Sequence, residues 1–174
     1  FSNTRHEILA ENLQSVLHPR LANGLSAITL KDRINVVTIC GMGGTLVQNI
    51  LERGQEELVN RPRLIVQPNV GADLVRRWLM NHHYRIDDER MVKDRHRFYE
   101  VIVADATRYP VRYSELQLQF GPQLLKRRGS VFQQKWRDEI IHVNFVIKQI
   151  SRARRPPLAR IQSLKRELDL IRKV

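Results

Sequence analysis

The chain has 174 residues and a net charge of +12, a length suited to one compact domain with an appendage. Its single cysteine, Cys40, excludes a disulfide framework, argues against a thiolate metal cluster and fits a reducing cytoplasm. No run of about 18 apolar residues occurs, so no transmembrane helix is expected. The polar, helix-like start FSNTRHEILAEN is unlike a secretory signal.

The first segment, RHEILAENLQ (residues 5–14), reads as the end of a helix. HPRLANGL follows as a short extended piece closing on the turn signal Asn23-Gly24. INVVTIC (34–40) is a β-branched apolar run, the pattern of a strand buried on both faces. TLVQNILERG then sets Leu46, Val47, Ile50 and Leu51 on one helical stripe, with Gly54 as C-cap. PRLIVQPN (62–69) reads as a second buried strand stopped by Pro68. ADLVRRWLMNHHY places Leu74, Val75, Trp78 and Leu79 on one helix face. YRIDDERMVKDRHRFYEVIVADA reads as two strands around a polar turn near residues 93–97. Strands alternating with helices imply an α/β fold: a mostly parallel sheet with helices on both faces. An antiparallel strand pair at its edge is allowed.

Beyond RYPVRYSE the character changes. Phe132, Trp136, Ile140, Val143, Ile147 and Ile150 recur at spacings of four and three. RARRPP breaks the pattern, and Leu158, Ile161, Leu164, Leu168 and Ile171 resume it. Two heptad-like helices about a Pro-Pro corner suggest an antiparallel hairpin whose apolar stripe is its own seam. The charge follows this division. Residues 1–107 hold 14 basic and 13 acidic side chains, whereas residues 108–174 hold 16 basic and 5 acidic. Such asymmetry is the footprint of a polyanion-binding surface, or else of a solvated helical face.

Two motifs carry chemistry. Gly41-Met42-Gly43-Gly44 lies where a strand ends and a helix opens, the edge at which open α/β sheets bind ligands. It is neither a P-loop, since no Gly-Lys-Ser/Thr follows, nor a dinucleotide fingerprint, since Leu46 stands where GxGxxG needs glycine. A tight strand-to-helix turn would read the same. Gln67-Pro68-Asn69 ends the next strand, and its amides can donate to and accept from a base edge. Taken alone, it also reads as a strand stop followed by a helix cap. His82, His83 and His96 lack partners at metal spacing and read as surface or RNA-proximal residues, so no metal is expected. Cys40 reads as a small buried residue at the strand end, or, being next to the glycine turn, as one exposed to the ligand.

The combination ICGMGGTLVQNILERG, RLIVQPN, VRRWL and FYEVIVADA resembles the bacterial tRNA (adenine-N1)-methyltransferases that modify adenine 22, along essentially the whole chain. The resemblance implies an S-adenosylmethionine-dependent, class I (Rossmann-like) methyltransferase domain over residues 1–110. It implies a basic helical, coiled-coil hairpin over residues 111–174 that holds tRNA. On this template Cys40, Gly41, Met42 and Gly43 lie where the cofactor's methyl end and the target base meet. Asn23, Gly24 and Leu25 fall beside the cofactor's adenine, with Asn23 replacing the aspartate common in the family. Gln67, Pro68 and Asn69 would serve catalysis by orienting the base. Lys126, Arg127, Arg128, Arg152, Arg154, Arg155, Arg160, Lys165 and Arg166 are the candidate RNA contacts. The family's first cofactor motif and its ribose-binding acidic residue have no match here. The chain, which begins on Phe1, is therefore expected to be truncated: a sheet lacking its first strands, binding cofactor poorly and inactive alone. A cytoplasmic monomer is favoured. The competing readings are a noncatalytic RNA-binding module using the hairpin, and a nicotinamide enzyme, which the absent GxGxxG opposes.

Overall fold

The computed structural model describes residues 2–174. Helix α1 (Ser2–Ala10) buries only Ile8, and an irregular segment leads to a short 3-10 turn at Gly24–Ala27. Then come β1 (Val36–Gly43), α2 (Gly44–Arg53), β2 (Arg63–Val70), α3 (Ala72–Asn81), β3 (Tyr84–Asp94) and β4 (Arg97–Ala106). Short helices α4 (Glu115–Phe120) and α5 (Pro122–Arg127) precede the long helices α6 (Ser130–Ser151) and α7 (Leu158–Ile171).

The sheet has the order β1-β2-β4-β3. β1 and β2 pair in parallel; β4 is antiparallel to both β2 and β3. The antiparallel pair β4/β3 stands at one edge of the sheet, as expected, with β3 outermost, and β3, β2 and β1 share one direction. The hairpin turn falls at residues 95–96, within the expected polar stretch. β2 runs on through Pro68, which sits opposite Met42 at an irregularity of the ladder. Proline is tolerated there because no regular ladder donor is required of it.

Helices cover one face, not both. Val37, Ile39, Leu64, Val66, Ile86, Ile102 and Ala104 point to that face and meet Val47, Leu51, Val75, Trp78 and Leu79 from α2 and α3. Alternate residues on the opposite side, Thr38 and Cys40 among them, are exposed, and Ile65, Val101 and Val103 are half-buried. The cause is topological. Both crossovers step through the sheet in the same direction, and right-handed crossovers stepping one way deliver their helices to one face.

The chain beyond β4 is fastened to this layer by a buried charge network. Arg76 of α3 is fully buried. Its Nε donates to Glu89 Oε1 at 2.7 Å and its Nη2 to Glu100 Oε2 at 2.5 Å. Its Nη1 reaches the carbonyls of Leu118 and Gln119 at 3.1 and 3.2 Å. Glu89 Oε2 accepts the backbone N–H of Gln123, and Lys135 of α6 ion-pairs with Glu100. A bulge between Ile86 and Asp88 shifts β3 by one residue and turns Glu89 inward. Helix α4 is set by a capping box, Ser114 with Gln117.

α6 and α7 pack antiparallel: Ile171 joins Phe132, Phe120 and Leu124, while Leu164 and Leu168 pack on Val143 with Ile147 and Ile150 alongside. The expected stripe is present except at Leu158, which is 69% exposed because it opens α7 at the corner.

Replacing Arg76 with Met should destabilise the fold by about 3–5 kcal/mol, because it strands buried carboxylates without their counter-charge; urea unfolding measures this. Burial alone would raise the Glu100 carboxyl, but Arg76 and Lys135 outweigh it and hold it below the usual range. The stability from this pairing is therefore complete above the unfolded-state pKa of about 4.3. It is lost as pH falls through the lower folded-state value. The urea midpoint of the Glu100→Gln variant should vary less with pH across that acid range than that of the parent protein.

Candidate functional site

The glycine segment is part of β1, not a loop beyond it. The strand continues to Gly43, with register shifts around Met42 that leave Gly41 bulged. Gly41 has φ +78, and a Cβ built on it would meet nothing within 4 Å. Glycine is favoured by that backbone angle, and the space beside it is open. Gly44 is different: a Cβ there would lie 2.0 Å from the Gly71 carbonyl oxygen. Its role is close packing of the α2 N-terminus against the turn that opens α3.

Gln67 and Asn69 clamp the bulge. The Gly41 N–H donates to Gln67 Oε1 at 3.0 Å, and Asn69 Nδ2 donates to the Gly41 carbonyl at 2.8 Å. Gln67 Nε2 donates to Asn69 Oδ1 at 3.2 Å, closing the ring. Each amide group has two N–H donors, so Gln67 and Asn69 each keep one for another group. Pro68 between them is buried. The two motifs thus form one structure at the C-terminal end of the parallel pair β1/β2. Cys40, opposite Gln67, is exposed rather than buried, because its strand position faces the side without helices. With Cys40, Gly41 and Met42 exposed and the space beside Gly41 open, the segment can lie against the end of a bound cofactor.

Asn69 also opens onto a cleft of about 630 Å³ between the sheet and the hairpin helices. That volume is within the range of small-molecule sites. Pro68, Phe98 and Gln119 contribute to one wall, and Lys135, Trp136 and His142 of α6 to the other. His96, at the hairpin turn, also lines it. Asn23, Gly24 and Leu25 lie elsewhere, in a hollow of about 300 Å³ beside Asn49, Ile50 and Arg53 of α2. Leu25 is core, 7% exposed, while Asn23 makes no side-chain capping bond.

Among the nine cations singled out in the sequence, all are exposed. Arg127 is partly committed, donating to the Glu89 carbonyl at 2.7 Å and pairing with Asp88. Arg128 ends α5 in a left-handed conformation and reaches the Leu125 carbonyl. Lys126, Arg152, Arg154, Arg155, Arg160, Lys165 and Arg166 make no side-chain hydrogen bond or ion pair among the described residues. His82 stacks on Trp78 with ring centroids 4.1 Å apart. No cluster of metal-binding side chains occurs among the described residues.

Sequence reasoning missed the Arg76 network and the cleft. One signal was present: Glu100 alternates with Ile102 and Ala104, a carboxylate at an inward strand position, which needs a buried partner.

Comparison with known proteins bears on this geometry. Residues 1–173 match the family model described as tRNA (adenine(22)-N(1))-methyltransferase. The chain is 35% identical over 157 residues to the tRNA (adenine(22)-N(1))-methyltransferase of Bacillus subtilis (strain 168), covering 88% of this chain and 66% of that protein. It therefore spans just under two thirds of that relative's length. An uncharacterized protein of Listeria monocytogenes serotype 4b superposes with a TM-score of 0.95 at 31% identity, over 99% of this chain and 76% of that one. A Streptococcus pneumoniae structure in complex with S-adenosyl-L-methionine gives a TM-score of 0.85 at 34% identity, over 97% and 72% of the two chains. The Rossmann-like architecture is shared throughout, and the family match extends over nearly every residue from the first helix to the end of α7: the chain belongs to the tRNA (adenine(22)-N(1))-methyltransferase family.

Proposed function

We propose that this protein transfers a methyl group from S-adenosylmethionine to N1 of adenine 22 in tRNA. The observation that carries the reading is the Gly41 bulge clamped by Gln67 and Asn69 at the C-terminal sheet edge, opening through Asn69 onto the cleft. The residues present fit the methyl-bearing end of the cofactor. Cys40, Gly41 and Met42 are exposed, and no side chain fills the space beside Gly41. When bound, the cofactor supplies an electrophilic methyl on a sulfonium.

The protein's part is placement. Adenine N1 has its own lone pair, so no side chain need remove a proton, and catalysis rests largely on orientation. Because N1 lies on the Watson–Crick edge, the base must be unpaired or flipped out. The remaining amide N–H groups of Gln67 and Asn69 are assigned to the base edge, and Pro68 restricts the strand backbone between them. Asn23, Gly24 and Leu25 are assigned to the adenine end of the cofactor. Residues 1–110 form the catalytic unit. Residues 111–174, whose α6 and α7 form a coiled-coil-like pair, form the tRNA-binding unit. The exposed cations of α5, the α6–α7 corner and α7 contact phosphates. A protein acting on tRNA in this way works in the cytoplasm.

Incubating unmodified tRNA with S-adenosylmethionine and the protein, produced with any residues its gene encodes ahead of Phe1, should give 1-methyladenine at position 22, read as a primer-extension stop. Methylation of another atom or position, or none, would overturn the reading. Gln67→Ala and Asn69→Ala should each lower the transfer rate by roughly 10²-fold, on the scale of losing an orienting polar group, while the fold is kept with a stability loss of about 1–3 kcal/mol for the two bonds each makes around Gly41. A rate equal to that of the parent would remove both residues from the site.

Binding of tRNA should weaken steeply with salt, as bound phosphates release counterions. Replacing Arg152, Arg154 and Arg155 together with Ala should reduce the slope of log affinity against log salt by about 2–3, at roughly 0.7–0.9 for each phosphate left without its arginine. An unchanged slope would place the RNA on another surface.

A further inference from the structure

The cleft beside Asn69 has an electrostatic character opposite to the surface around it. Residues 108–174 contain only five acidic side chains against 16 basic ones. Three of those five, Asp138, Glu139 and Glu167, line the cleft. They come from two different helices, α6 and α7. A fourth carboxylate, Asp73, enters from the first turn of α3 on the opposite wall. None of the four is ion-paired among the described residues, although the structure contains many cations. The two charged groups that also reach the cleft, Lys135 and Glu100, pair with each other and cancel.

The remaining lining suits a flat heteroaromatic ring. Phe98 and Trp136 supply apolar ring surface, and Asn69 supplies an amide. The Trp136 indole N–H is buried without a partner among the described residues.

We propose that this cleft receives the acceptor adenine, and that Asp73, Asp138, Glu139 and Glu167 stabilise the positive charge that the base acquires on methylation. This deepens the functional reading above and rests on it. The charge balance of the reaction makes the case. The N1 lone pair forms the new N–C bond, and the electron pair of the broken C–S bond leaves with sulfur. No proton moves, so the unit positive charge of the sulfonium ends on the purine, spread over N1, C6 and N6. Carboxylates around the ring favour that product-like charge more than the neutral ground state, which is the condition for lowering a barrier. The same carboxylates repel phosphates. A single extruded nucleotide therefore enters base first, with its backbone left on the basic exterior.

The test uses the protein without cofactor and two nucleosides near neutral pH, where 1-methyladenosine is a cation and adenosine is neutral. Titrations followed by the NMR shift of the Trp136 indole should show 1-methyladenosine binding about tenfold or more tightly, as expected of a site that complements developed charge. The combined variant Asp73→Asn, Glu139→Gln, Glu167→Gln should lose that preference, while Asp169→Asn on the outer side of α7 should keep it. Equal affinities, no binding of either nucleoside, or a preference that survives in the combined variant would overturn the proposal. With tRNA, and in the protein produced with any residues its gene encodes ahead of Phe1, the combined variant should slow single-turnover methyl transfer while leaving tRNA affinity equal or higher. A loss confined to tRNA affinity would also overturn it. Should the parent protein methylate no tRNA, the functional reading fails by itself, and the nucleoside preference still decides whether the cleft selects a cationic purine.

Discussion

The structure depends on one buried cation. Arg76 sits on α3, beneath the sheet, where an arginine without partners would be untenable. It is tolerated because two strands each turn a carboxylate toward it and two peptide carbonyls from α4 take its remaining fork. Lys135 then supplies the second positive charge that leaves the group of four side chains neutral. Buried ion pairs of this kind add little net stability over a well-packed apolar core, yet they are costly to break and satisfied in only one arrangement. Their effect here is positional. Helices α4, α5 and α6 have few alternative seats on the sheet that would satisfy Glu89 and Glu100, so the network fixes where α6 starts and which way it turns. Lys135 and Trp136 are consecutive, and Glu100 and Trp136 both line the cleft. The cleft is thus a consequence of the network: its wall stands where Arg76 and Glu100 put it.

The glycine segment shows two physical roles within four residues. Gly44 is required by close packing, since any side chain would drive into the backbone of Gly71. Gly41 is required by conformation and faces open space. A spacing pattern cannot separate these cases, because both read as glycine next to a strand and a helix. What separates them is the neighbouring strand. Gln67 and Asn69 spend their amides on the Gly41 peptide, donor to acceptor and acceptor to donor, so the bulge is held from both sides without closing the space in front of it. Pro68 fits between because the ladder has already lost its regular register there.

Much of the fold is legible in the sequence because periodicity reports burial directly. β1 and β2 lie where apolar runs place strands, though each is buried on one face only, α2, α3, α6 and α7 lie where three-to-four-residue patterns place them, and the antiparallel packing of α6 on α7 follows from the stripe. The parts that are not legible depend on relations between segments. Helices α4 and α5 are each six residues long, too short to show a period, although the Ser114–Gln117 capping box marks a start. Coverage of one sheet face depends on the direction of both crossovers, which no local pattern encodes, and for that reason Cys40 reads as buried when it is exposed. The β3 bulge reverses inward parity after Ile86, so Glu89 reads as a solvent residue until the register is known. At the site, the sequence points to Gln67, Asn69 and the glycines, but their hydrogen-bonded ring requires the parallel register of β1 on β2. Asn23–Leu25 come from resemblance alone and occupy a separate hollow.

Helices α6 and α7 therefore present three surfaces at once. Their seam is apolar and holds the pair together. Their outer side and corner are crowded with unpaired cations, which would repel one another and destabilise a bare hairpin. The cleft side carries Asp138, Glu139 and Glu167, three of the four acidic residues on these helices. That segregation is not what stability alone would select, because pairing Glu167 or Glu139 with a neighbouring arginine on the same helix would relieve both surfaces. Keeping the opposite charges apart, on faces separated by the seam, preserves a field that runs from the basic exterior into the acidic cleft. A polyanion with one exposed, cation-forming base fits both ends of that field, whereas a simple phosphate ligand fits only the outer one.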